Sequence, residues 1–120
     1  MVVVVEQKYR ERKSITYFVN AAANEERTVN IYRVSAGKKF FLERVTIYFQ
    51  NACAFELLIA IFRGLEKVKP TDGFYRADSG FVQDITKVEF RSDEEVKVYY
   101  KNLNTTTARK ALVLIEGYEE

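Results

Sequence analysis

Few side chains in this 120-residue chain could carry chemistry, and their types narrow what that chemistry could be. Basic residues interleave with aromatic ones at three places, Lys8-Tyr9-Arg10, Phe74-Tyr75-Arg76 and Tyr99-Tyr100-Lys101. Flat rings beside cations suit single-stranded nucleic acid, sugars or a protein interface, where Tyr and Arg are enriched. The same pattern also describes Tyr packed across strands under a Lys stem. The contact candidates are therefore Tyr9, Arg10, Tyr75, Arg76, Tyr99 and Lys101. Asp72, Asp78 and Asp84 bracket one long loop. They could hold calcium or work as an acid pair, but Asp-Gly and Asp-Ser-Gly are ordinary turn chemistry, and the turn reading is preferred. No catalytic, cofactor-binding or metal-binding residue is assigned.

What is missing is equally informative. The chain has no His, so the commonest general base and metal ligand and every Ser-His or Cys-His arrangement are gone. Its one cysteine allows neither an internal disulfide nor a multi-thiolate zinc site. Cys53 has no cation beside it in sequence and reads as a small buried hydrophobe. Gly37-Lys38 lacks the other residues of a phosphate loop and reads as a hairpin turn. Asn104-Thr-Thr106 fits a glycosylation sequon but sits in a polar loop. The net charge of +2 is too small to imply nucleic acid by itself. Charges are interspersed, Met is confined to position 1, and Glu far exceeds Asp, a composition that fits a thermophilic source.

The elements that must position these residues read as strands. Short runs of Val, Ile, Tyr, Phe and Thr alternate with Gly, Asn, Asp and Ser clusters. Strands are expected at Val2–Tyr9, Ser14–Val19, Arg27–Val34, Lys39–Gln50, Phe55–Arg63, Leu65–Lys69, Phe81–Arg91, Val96–Lys101 and Ala111–Ile115, with an acidic tail after the last. In Lys39–Gln50 the apolar positions change parity: Phe40 and Leu42, then Val45, Ile47 and Phe49. One extra residue at Glu43-Arg44, a β-bulge, would keep both sets on the core side. Phe55–Arg63 is apolar on both faces, which fits a central strand and, as the alternative, a helix. A two-sheet domain covers only one face of each sheet. The 70–80 loop, the N-terminal segment or a second subunit must then cover the other face of this strand. No run approaches the ~20 apolar residues of a membrane helix, and Val2–Val5 is too short for the core of a signal peptide.

One longer pattern looks familiar. It runs Val34-Ser-Ala-Gly-Lys-Lys-Phe40, then Leu42-Glu-Arg-Val-Thr-Ile47, a turn at Asn51, a Ser92-Asp-Glu-Glu95 turn into Val96-Lys-Val-Tyr99, and Val113-Leu-Ile-Glu-Gly-Tyr-Glu119. This resembles small β-sandwich structural proteins of phage and virus particles, the head, neck, tail and baseplate modules. The resemblance covers roughly residues 29 to 119 and has no counterpart for residues 1 to 26. It implies an assembly role without catalysis, and it carries no site residues over.

These readings converge on an all-β chain, an antiparallel β-sandwich of jelly-roll type, one domain over residues 1–120; a five-stranded OB barrel comes second. Residues 1–13 would be an N-terminal arm or an edge strand, able to add to a neighbouring copy's sheet. The expected function is non-enzymatic assembly through self-association as a homo-oligomer, with other structural proteins as further partners. No cofactor and no membrane are implied, and nucleic acid is disfavoured. The location is cytoplasmic, or the virion if the chain is viral. The alternative is a small ligand-binding module for carbohydrate or single-stranded nucleic acid.

Overall fold

The structure, a computed structural model, describes residues 10–120. The strand expected at Val2–Tyr9 lies outside the described residues. The strands are β1 (Glu11–Ala21), β2 (Glu26–Arg33), β3 (Phe40–Phe49), β4 (Leu57–Arg63), β5 (Glu66–Lys69), β6 (Gly80–Phe90), β7 (Glu95–Asn102) and β8 (Arg109–Glu119). They form two four-stranded sheets in the orders β1-β8-β3-β6 and β2-β7-β4-β5. All neighbours within the sheets are antiparallel. The pairing is nested: β1 with β8, β2 with β7, β3 with β6, β4 with β5. A single long hairpin with its tip at Gly64-Leu65, rolled so that its strands divide between two layers, produces this order, which is how a jelly roll winds. Gly64 takes φ +59° at the tip, a conformation open to glycine without strain. Residues 11–13 of the expected N-terminal arm begin β1, an edge strand.

The parity change in β3 is resolved where the sequence places it. Phe40, Leu42, Val45, Ile47 and Phe49 are all buried. Against β8, Leu42 faces Gly117 while Arg44 faces Glu116, so Glu43 is the extra residue. Against β6, the same two residues face Val88 and Ile85, and the surplus lies on β6. The bulge presses β3 onto β8. A Cβ at position 117 would lie 2.1 Å from the Phe41 carbonyl oxygen and 3.0 Å from the Phe40 ring. Glycine is required there for room.

β4 is a strand, and its far side is covered by the chain itself. Leu57, Ile59 and Ile61 belong to the core, while Leu58 and Ala60 on the opposite side are also buried. The segment after β5 folds back along β4. Tyr75 and Ile59 exchange two backbone hydrogen bonds, 2.8 and 3.0 Å. Phe74 reaches over to Tyr99, which stands opposite Ala60. Of the three covers expected for this strand, the loop supplies it, so β4 gives no reason to invoke a second subunit.

The last strand is longer than expected. β8 continues through Glu119, and the acidic end is strand rather than tail. Glu119 is 1% exposed. Its carboxylate accepts a hydrogen bond from the Tyr32 hydroxyl and a long one, 3.4 Å, from the Ser35 N–H. Burial opposes its ionisation, but the bonds from Tyr32 and Ser35, with Lys13 nearby, outweigh burial and hold the carboxyl below its ordinary value. Burial and the adjacent carboxylate push the Tyr32 phenol upward, so it remains a neutral donor. Lys39 and Glu120 then exchange two backbone hydrogen bonds that close the end of the sheet.

Two predictions follow from β8. Gly117→Ala must displace the β3 backbone and is expected to lower unfolding stability by about 1–3 kcal/mol; a denaturant midpoint equal to wild type would contradict the close approach. Glu119 has a lower pKa folded than unfolded, so its stabilisation is present above the ordinary value of 4.5 and is lost as pH falls through the folded value. Glu119→Gln is therefore expected to melt below wild type at neutral pH, with the gap closing in acid. Parallel melting profiles for the two proteins from pH 7 to pH 3 would contradict the assignment.

Candidate functional site

The six candidate contact residues do not assemble into one surface. Tyr9 lies outside the described residues. Arg10 leads into β1, with its guanidinium 4.8 Å from the centre of the Tyr118 ring and its Nε 3.2 Å from the Glu120 carboxylate. Tyr75 is turned inward and 6% exposed. Its hydroxyl donates to Asp84 Oδ2 at 2.5 Å, and Lys69 Nζ lies 3.2 Å from the same oxygen. Lys69 and Asp84 sit on β5 and β6, edge strands of opposite sheets, so the three side chains clasp one open flank of the sandwich. Burial, then the Asp84 carboxylate, raises the Tyr75 phenol and keeps it protonated.

Arg76 is committed to a turn. It donates twice to the Phe55 carbonyl, at 2.9 and 2.7 Å. That turn carries Ala52, Ala54 and Phe55 at positive φ, which is costly for residues with a Cβ. Asp78 supports it as well, accepting the Ala54 N–H on its carboxylate and the Cys53 N–H on its carbonyl. Cys53 itself is fully buried, and burial raises its thiol above the ordinary value. Asp78 and Asp84 thus have structural partners, and among the described residues no three metal-binding side chains converge. Asn104 of the sequon accepts from the N–H groups of Thr106 and Thr107 at 2.8 and 2.7 Å, an Asx turn.

Tyr99 and Lys101 do share a surface, the outer face of the second sheet. Tyr99 lies between Phe62 and Phe74, each ring centre 5.6 Å away. Its hydroxyl donates to Glu26, and burial together with that carboxylate pushes its pKa up to about 12. Lys67 stands 5.1 Å from the Phe74 ring centre and donates to the Gly73 carbonyl at 2.7 Å. The rings here are sealed by the loop, leaving Phe74 38% exposed.

The outer face of the first sheet is different, and sequence reasoning missed it. Phe18 on β1 stands opposite Leu112 on β8, Leu112 opposite Tyr48 on β3, and Tyr48 opposite Phe81 on β6. These four side chains cross the whole sheet in one row. Their exposures are 57, 36, 48 and 62%. A second row, Ser14, Glu116, Arg44 and Ile85, lies four residues along β1, with Ile85 73% exposed. The row beyond it is Arg12, Tyr118, Phe41 and Glu89. Large apolar groups lined up in water are uncommon on the surface of a chain that makes no further contacts. The signal in sequence is faint. Phe18, Tyr48 and Leu112 each stand on the opposite parity to a buried neighbour and Phe81 to the half-buried Val82, but only the pairing register lines them up.

No protein-family model matches the chain, and no curated protein does. Among solved structures, a chain of the capsid asymmetric unit of cyanophage Pam1 superposes with a TM-score of 0.58 at 10% identity, covering 98% of this chain and 92% of that one. A chain of the acid-stable capsid of the Helicobacter pylori bacteriophage KHP30 superposes with a TM-score of 0.52 at 12% identity, covering 91% and 93%. At these identities the likeness is one of fold, and it extends over nearly the whole length of all three chains.

Proposed function

We propose that this chain is a structural component of a phage virion, acting through surface contacts and self-association rather than catalysis. The observation that carries this reading is the end-to-end match, in both directions, to two phage capsid chains. It agrees with the strand-and-turn resemblance read from the sequence. The disposition of polar groups supports it. Tyr75, Arg76, Asp78 and Asp84 are occupied in holding turns and sheet edges together. The exposed apolar row on the first sheet supplies a surface for assembly. The ligand-binding alternative loses ground because Tyr75 is buried against Asp84 and Arg76, though on the same side of the second sheet as Lys101, is committed to the Phe55 carbonyl. The expected outcome is that the chain bands with intact phage particles on a density gradient from the source culture, at a fixed ratio to the shell protein, as read by peptide mass spectrometry. Particles free of the chain, with the chain left at the top of the gradient, would contradict the reading.

A further inference from the structure

We infer that the outer face of the first sheet is self-complementary and binds a second copy of this chain across a twofold axis that runs along the strands between β8 and β3. The inference deepens the assembly reading above by naming the surface and its partner. The strand order β1-β8-β3-β6 places the midline of the sheet between β8 and β3. A twofold on that midline, lying in the contact plane, sets β1 over the partner's β6 and β8 over the partner's β3. Position along the strands is unchanged. The registered rows then meet themselves reversed.

In the apolar row, Phe18 falls on the partner's Phe81, and Leu112 on the partner's Tyr48. In the row with Ile85, Glu116 falls on the partner's Arg44, and Arg44 on the partner's Glu116. In the row beyond, Arg12 falls on the partner's Glu89, and Tyr118 on the partner's Phe41. The charged residues of these rows meet opposites, and symmetry doubles each pair, but Arg12 and Glu89 already pair within the chain with Glu43 at 2.5 Å and Lys39 at 3.2 Å, so Arg44 and Glu116 carry the complementarity. Within one chain the Arg44–Glu116 pair is loose, 3.9 Å, and Arg44 is 45% exposed, so both charges can turn to a partner. A twofold along the apolar row would leave the charged rows beyond the partner's edge, so the axis along the strands uses the face better. Stacked sheets lie about 10 Å apart and cross at about 30°, which keeps rows near the axis in contact. Four strands about 4.8 Å apart, over six residues of length, give a footprint of roughly 20 by 20 Å, at the small end for a specific interface. The contact is therefore reversible with dilution.

Charge reversal tests this geometry. Light scattering after size exclusion should give the wild-type chain twice the single-chain mass at high concentration, falling on dilution. Arg44→Glu alone and Glu116→Arg alone each create two like-charge contacts and should weaken the dimer by about tenfold or more. An equimolar mixture of the two variants should recover the dimer, because each reversed side chain then meets an opposite charge. Weakened single variants together with that recovery are what a twofold joining these two positions predicts. Tyr48→Asp, on an exposed side chain, should also give a monomer and decides the matter if a charge variant does not fold. A wild-type monomer at every concentration overturns the inference. A dimer indifferent to all three substitutions, or weakened singles that stay apart when mixed, overturns it too. Banding with particles reads the assembly role separately, so a chain that joins the virion as a monomer would fail here and pass there.

Discussion

β1 and β3 never pair with each other; both depend on β8, which lies between them and bonds to each along its length. Half of the sandwich therefore rests on one strand. Its fit is narrow at one point, where Gly117 admits the bulged β3 backbone at a distance no other residue allows. It is fastened just beyond, where the buried Glu119 carboxylate takes hydrogen bonds from Tyr32 and Ser35. A buried carboxylate without such donors would be strongly unfavourable. With them, an acidic residue at the sheet's end joins β8 to β2 and to the turn after it.

The same economy governs the other polar groups. Asn102 is fully buried at the end of β7, and its amide donates to the carbonyls of Ala21, Ala22 and Thr107 while accepting from Asn104. It ties the β1–β2 corner to the β7–β8 loop. The Lys69–Asp84–Tyr75 group closes a flank, and the Arg76 and Asp78 contacts hold a strained turn in place. The two outer faces differ as a result. The second sheet is roofed by the loop that carries Phe74, whereas the first sheet keeps a registered row of large side chains in water.

Where local pattern decides structure, the sequence is legible. The parity change between Leu42 and Val45 locates the β3 bulge, and the doubly apolar run from Leu57 to Phe62 marks a covered strand. Gly, Asp and Ser clusters mark the turns. Pairing is not a local property, and the misreadings come from it. Glu119 looks like part of a solvated tail until Tyr32 and Ser35 are brought to it from more than eighty residues away. Tyr75 looks like a free ring beside a cation because nothing nearby says that Asp84 waits across the flank. Phe18, Tyr48, Phe81 and Leu112 sit on four strands, and no window of sequence holds two of them.

The central place of β8 also sets an order in time. During synthesis β1 and β3 emerge long before the strand that separates them, and β2 waits likewise for β7. Until β8 is made, the first sheet can hold only the β3–β6 pair, with one edge of β3 open and β1 without a neighbour in the sheet. Pairing of this kind closes long loops and is slow. Until then the nascent chain carries Val-, Ile- and Phe-rich segments whose pairing partners have not yet been made, and such unpaired strand edges are the ones most prone to aggregate.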